Sequence, residues 1–271
     1  MLVFAHRGHH VVFPQNTLQA FDAALRIGAD GIETDVRLSR DGVPVLFHDE
    51  QVRGRPIAEL TRHDIARIAG HEVPTLNEAL LRFPKPIWNI EVKAPAAVGA
   101  VLQAMSAFAT TRRMIVTSFH HDLVVRCARV AAVPSGLLLS HAPSDLPGML
   151  AAHAESPWVR TLVWDQRVLT PTLLRQARAA RWWNFVYGVD DPDSMRLLAK
   201  HGVDAVITDR ADLVPAELRR APVPAARMPQ PAGAADTADT AEPAGTADAL
   251  VYRTDAAAML RESIAAWSDE L

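Results

Sequence analysis

Over its first 220 residues the chain alternates short β-rich runs with amphipathic helical patterns. The runs are MLVFAH, GIETDVRL, PVLFH, PIWNIEV, MIVTSF, SGLLLS, TLVWD, WWNFVYGV and DAVITD. Between most of them lie patterns such as TLQAFDAALRIG, TLNEALLRF, HDLVVRCARVA, TPTLLRQARAA and PDSMRLLAKHG. Parallel strands need long crossovers, and helices supply them, so this alternation predicts a parallel sheet. Its repetition predicts a closed α/β barrel of the (β/α)8 type. An open doubly wound sheet would carry a glycine-rich phosphate loop after its first strand, and HRGHHVVFPQNT is no such loop. Nine runs compete for eight places. The link SRDGVP is too short for a helix, and its Asp41-Gly42 is a hairpin signal. Either GIETDVRL or PVLFH should therefore overrun the barrel as a β-hairpin.

Composition divides the chain into three parts. Residues 1–220 form the barrel. Residues 221–248 are almost all Ala, Pro, Gly, Thr and Asp; such a stretch buries too little apolar surface to offset its ordering entropy and is expected to be a disordered linker. Residues 249–271 end in a short amphipathic helix, with Leu260, Ile264, Trp267 and Leu271 on one face and Thr254 or Asp255 as its cap. Its polar face is mainly acidic, which disfavours a membrane surface and leaves the barrel or a second chain as its dock. The net charge of −3 argues against a nucleic-acid partner. No apolar stretch has the length of a membrane span, and the N-terminus lacks signal-peptide regions. The single cysteine, Cys127, lies in an apolar run and reads as a core residue. A cytoplasmic protein is expected.

In a barrel of this kind the chemistry lies where strands end. The first run ends in His6-Arg7, the second carries Glu33-Thr34-Asp35, the third ends in His48-Asp49, and the fourth carries Asn89, Glu91 and Lys93. Alternate residues of a strand share a face, so Glu33 pairs with Asp35 and Glu91 with Lys93. Three carboxylates converging at one mouth need counter-charge, which Arg7, Lys93 and a hard divalent cation would supply. Each feature alone is commonplace: an exposed carboxylate pair, an exposed ion pair, a structural histidine. Together they suit phosphodiester hydrolysis, which needs charge stabilisation on the phosphorus oxygens and an acid–base pair. His9, His10, His120 and His121 have no recognised ligand spacing. Ser118 and Trp164 are strand-end residues that would either line the pocket or pack, and Asp209 would cap a turn.

The stretches AHRG, PQNT, GADGIETDVRLSRDGVPVLFHDE, PTLNEAL, IEVK, TSF and GVDAVITDR, in order from residue 3 to about 215, resemble the glycerophosphodiester phosphodiesterases. The resemblance implies a TIM barrel and a metal-dependent hydrolysis of glycerophosphodiesters to sn-glycerol 3-phosphate and an alcohol. It implies that Glu33, Asp35 and Glu91 ligate one Mg²⁺ or Ca²⁺, that His6 and His48 are the acid–base pair, and that Arg7 and Lys93 contact the phosphate of a small-molecule substrate. Three departures from the family pattern stand out. Gln15 replaces the usual Glu, so hydrogen bonding is kept and an ion pair lost. HDEQVRGRPIAELTRHDI replaces a Thr- and Gly-containing stretch, with little room for a substrate-covering insertion. Tyr187-Gly188-Val189-Asp190 replaces Trp-Thr-Val-Asn, with Tyr187 offering an apolar wall for the glycerol. Two other readings stay open: a lysophospholipase D-like hydrolase, which an apolar rim at the mouth would favour, and a catalytically silent barrel that binds phosphodiesters or a partner protein. The oligomeric state is left open.

Overall fold

The computed structural model describes residues 1–219. The linker and C-terminal helix expected from the sequence lie outside the described residues. Eight parallel strands close on themselves: β1 (Leu2–His6), β2 (Gly31–Leu38), β6 (Ile87–Val92), β7 (Arg113–Ser118), β8 (Ser135–Leu139), β9 (Val159–Asp165), β10 (Trp183–Tyr187) and β11 (Ala205–Thr208). Closure runs through β1, which pairs with β11 on one side (Leu2 beside Ala205, Ala5 beside Thr208) and with β2 on the other (His6 beside Glu33). The surplus strand is β3 (Pro44–Leu46). Strand β2 runs past its barrel neighbours, and Val36–Leu38 pair antiparallel with β3. A small hairpin of β4 (Gln51–Val52) and β5 (Arg55–Pro56) follows.

The helices α1 (Leu18–Arg26), α2 (Arg62–Ala69), α3 (Leu76–Arg82), α4 (Val98–Ser106), α5 (His121–Ala131), α6 (Leu146–Ala151), α7 (Pro171–Ala179) and α8 (Pro192–Lys200) connect the strands. Side chains of Thr17, Thr61, Thr75, Asp145, Thr170 and Asp191 accept from backbone N–H groups at the starts of six of them; each such cap stabilises its helix by about 1 kcal/mol. Among the described residues no helix is long and apolar enough to cross a membrane.

Strand parity sorts the side chains. Val3, Val36, Trp88, Ile90, Val116, Leu162, Trp164 and Val186 face outward and pack in the apolar layer between sheet and helices. Leu2, Phe4, Ile87, Ile115, Val163, Phe185 and Ala205 face inward and fill the barrel floor. Gly31 makes room for this floor: a Cβ there would lie 2.5 Å from the Phe4 ring. Above the floor, nearer the C-terminal ends of the strands, the inward positions become polar. Cys127 is buried in the outer layer, where burial pushes its thiol up to about 11, so it is the core residue its sequence context suggests.

Candidate active site

The polar layer is built by two neighbouring strands in register. Glu33 lies beside Asn89 and Asp35 beside Glu91 across β2 and β6. All four side chains point inward and are buried. One oxygen from each of Glu33, Asp35 and Glu91 lies within 4.8 Å of the others. The two cations named from the sequence sit on this cluster. Lys93 Nζ is 2.8 Å from Asp35 Oδ1 and 2.7 Å from Glu91 Oε1, and Arg7 Nε is 3.1 Å from Asp35 Oδ2. Three carboxylates face two cations, so one negative charge lacks a partner.

The electrostatics follow from that shortfall. Burial, reinforced by Asp35 and Glu91, holds the Glu33 carboxyl well above the usual carboxylate range. Burial also raises Glu91, against the pull of Lys93. At Asp35 burial acts upward too, but Lys93 and Arg7 outweigh it and keep the carboxyl below its ordinary value. Lys93 is held above its usual value, because Asp35 and Glu91 more than offset its burial. An all-oxygen carboxylate set short of positive charge suits a hard divalent cation. Glu33 also gives a testable sign. Because its folded pKa is raised, the folded state holds the extra proton, and stability falls as pH rises from its unfolded value towards the raised one. A cation favours the ionised form and removes that loss. The increase in Tm from added Mg²⁺ or Ca²⁺ should therefore be larger at pH 8 than at pH 5 in thermal melts.

The loop after β1 holds Arg7 in place. Arg7 itself is left-handed (φ 56°), and its N–H donates to the Glu33 carbonyl at 2.9 Å. Its Nη1 donates to Gln15 Oε1 at 2.7 Å, so the amide keeps the hydrogen bond that its substitution for Glu was expected to keep. Asn16, also left-handed (φ 58°), donates from Nδ2 to Asp35 Oδ2 at 2.8 Å and accepts from the Thr34 hydroxyl. Gly8 (φ 79°) lies against α1, and a Cβ on it would lie 2.6 Å from the Ala20 carbonyl carbon. Gly8→Ala combines left-handed strain with that clash and should lower unfolding free energy by at least about 2 kcal/mol, read from the denaturant midpoint.

His48 is delivered by the hairpin. Its carbonyl accepts from Arg37 Nε at 2.8 Å, and its Nδ1 lies 2.7 Å from Asp49 Oδ1. An ionised carboxylate only accepts, so Nδ1 carries the proton and Nε2 is left as the other functional atom. Burial pulls the His48 pKa below the ordinary histidine value. On the other side His6 Nε2 lies 3.8 Å from Glu33 Oε2.

His6, Arg7, Glu33, His48, Glu91, Lys93 and Tyr187 line one cavity of about 180 Å³, with Asp35 fully buried in the same cluster. Drug-sized ligand sites run to roughly 300–1,000 Å³, so this one fits a small charged group. Its apolar wall is Tyr187, Phe119, Leu138 and Ile207; Phe119 meets Tyr187 edge-on at 6.3 Å. The other strand-end residues are elsewhere. Ser118 donates to the Val92 carbonyl, and Trp164 is buried in the outer layer with its indole N–H on Asn184. His9, His120 and His121 do not line the cavity, and His121 Nε2 is 2.9 Å from the Leu138 carbonyl.

Three features exceed the sequence reading. Asn89 is buried on the cavity wall, its Oδ1 accepts from Thr117, and its Nδ2 has no hydrogen-bond partner among the described residues. Asp209, read as a turn cap, instead meets two histidines: Oδ1 is 2.6 Å from His6 Nδ1 and 2.9 Å from His10 Nε2. The mouth also has exposed apolar residues whose direction the sequence does not reveal, namely Val11, Val12 and Phe13 after β1 and Phe119 after β7.

Comparison with known proteins places this geometry in context. Residues 6–213 match the model of the glycerophosphoryl diester phosphodiesterase family. The chain is 29% identical over 234 residues to a probable glycerophosphodiester phosphodiesterase 2 of Mycobacterium tuberculosis, covering 79% of this chain and 89% of that one. It is 29% identical over 230 residues to a glycerophosphodiester phosphodiesterase of Caldanaerobacter subterraneus, covering 77% and 93%. The crystal structure of a glycerophosphodiester phosphodiesterase from Thermotoga maritima superposes with a TM-score of 0.71 at 28% identity, over 79% of this chain and 96% of that one.

Proposed function

This chain belongs to the glycerophosphoryl diester phosphodiesterase family, and from that premise we infer that it is a phosphoric diester hydrolase releasing sn-glycerol 3-phosphate and an alcohol from glycerophosphodiesters. One observation carries the reading: a buried three-carboxylate cluster, one positive charge short, shares a small cavity with two histidines. Glu33, Asp35 and Glu91 are the residues that would hold a divalent cation, Mg²⁺ or Ca²⁺. When bound, the cation supplies charge stabilisation at the phosphorus oxygens.

The remaining work falls to this chain's own groups. Lys93 is ion-paired with Asp35 and Glu91 at the cavity, and its ammonium has three N–H donors with which to meet a phosphate oxygen. Arg7, ion-paired with Asp35, keeps guanidinium donors beyond the one on Gln15. His6 and His48 move the protons, one taking it from the attacking oxygen and the other giving it to the leaving alcohol. Tyr187 and Phe119 form the wall for the carbon skeleton. A cytoplasmic location is part of this reading, supported by a lone buried cysteine that leaves no internal disulfide.

The test is release of choline from glycerophosphocholine. Exhaustive chelation should abolish turnover, and Mg²⁺ or Ca²⁺ should restore it. Undiminished turnover after chelation would overturn the metal assignment. The exposed Val11, Val12, Phe13 and Phe119 favour a second reading, in which the substrate carries an acyl chain. A kcat/KM for lysophosphatidylcholine above that for glycerophosphocholine would select it. Because the family match ends at residue 213, a chain ending at residue 219 should keep its metal-dependent turnover in the same assay.

A further inference from the structure

We propose that Asp209 is the positioning residue of His6, holding the ring with its proton on Nδ1 and with Nε2 turned to the carboxylate cluster. The inference rests on the acid–base reading of His6 for its kinetic consequence, but not for its geometry. Barrel closure sets the contact. Strand β11 lies beside β1 with Thr208 level with Ala5, so the next residue of each strand meets the other: His6 and Asp209. Their side chains are joined at 2.6 Å between Nδ1 and Oδ1.

Asp209 is itself held. Its backbone N–H donates to Asp190 Oδ1 at 2.8 Å, and the Thr208 hydroxyl donates to the same oxygen at 3.0 Å. His10 Nε2 lies 2.9 Å from the Asp209 oxygen that meets His6. Partial burial acts to raise the Asp209 pKa, but the adjacent His10 and His6 outweigh it and keep the group far below the usual carboxylate range. An ionised carboxylate has no proton to donate, so a neutral His6 must donate from Nδ1. That leaves Nε2, 3.8 Å from Glu33 Oε2, as the atom that takes or returns a proton at the cavity. Without Asp209 the ring is free to adopt the other tautomer or to turn away, as carboxylate partners of catalytic histidines elsewhere demonstrate.

The experiment uses the full chain loaded with Mg²⁺. Asp209→Asn should lower kcat at least about tenfold while KM for glycerophosphocholine stays within about twofold. Mg²⁺ affinity by titration calorimetry should not change, since Asp209 is outside the carboxylate cluster. In a His6→Ala background the same change should cost less than about twofold, because the residue acts through His6. Long-range ¹H–¹⁵N spectra of histidine-labelled protein should report the Nδ1–H form of His6 in the native chain and a mixture in Asp209→Asn. A tenfold further loss in the His6→Ala background, or a His6 tautomer unchanged by Asp209→Asn, would overturn the proposal. If His6→Ala itself keeps near-native kcat, the acid–base reading fails instead, and the spectra still decide the positioning.

Discussion

Replacing His6 or His48 with alanine is expected to lower kcat by about 10²–10⁴-fold each, the usual contribution of a general acid or base. The expectation rests on placement. Both imidazoles line the same small cavity, and each has its Nδ1 on a carboxylate, Asp209 for His6 and Asp49 for His48. In both rings that arrangement leaves Nε2 as the second functional atom. Two groups that must be in opposite protonation states produce a bell-shaped pH profile of kcat/KM. Burial disfavours the imidazolium of His48, so one limb of the bell should fall below the ordinary histidine value. Single-turnover and steady-state assays on the two variants settle the matter. A loss smaller than about tenfold in either would mean that the group does not transfer a proton in the rate-limiting step.

Asp35→Ala should produce the largest combined loss. Asp35 is fully buried, forms ion pairs with Lys93 and Arg7, and accepts a hydrogen bond from Asn16. Removing one partner of a buried charge pair typically costs 3–5 kcal/mol, roughly, because the remaining charge is left uncompensated. Here Arg7 and Asn16 lose their buried carboxylate while Lys93 keeps Glu91, so urea denaturation should detect the loss directly, and metal-dependent turnover should fall below detection. Glu33→Gln offers the contrast. Burial already disfavours ionised Glu33, so a neutral amide should leave the metal-free protein at least as stable as the native chain. The same variant should bind Mg²⁺ or Ca²⁺ more weakly in calorimetry. Equal destabilisation by both substitutions would contradict the charge distribution described above.

Much of this site can be read from strand parity. Period-two alternation puts Glu33 with Asp35 and Glu91 with Lys93 on inward faces, and the structure has them there. Parity also decides between the two readings of Trp164. Trp164 adjoins Asp165 at the end of β9, and only the inward setting of one of them, here Asp165, sends the other to the outer layer. PVLFH has the same composition as the true barrel strands. Its exclusion follows from the extension of β2, where Val36–Leu38 pair with it beyond the last contact with β1, at Glu33. Asp209 and Asn16 were obscured for different reasons. The role of Asp209 needs the register across the closure of the barrel, which joins residues 203 positions apart. Asn16 depends on a left-handed backbone that places its amide on Asp35, and its type alone does not reveal that. The exposed apolar loop after β1 was visible as VVF, but its direction was not.

The pairing of β1 with β11 has a consequence for biosynthesis. His6 leaves the ribosome about 200 residues ahead of Asp209 and β11. At translation rates of roughly 5–20 residues per second, that interval is on the order of 10–40 s. Throughout it one edge of β1 lacks its partner, and the Leu2 and Phe4 side chains lack the Ala205 and Ile207 that complete the floor. Such an open edge is a template for pairing with another chain. A nascent barrel of this design is therefore most exposed to misassembly until β11 is made, and it gains its His6–Asp209 contact only when that strand is inserted.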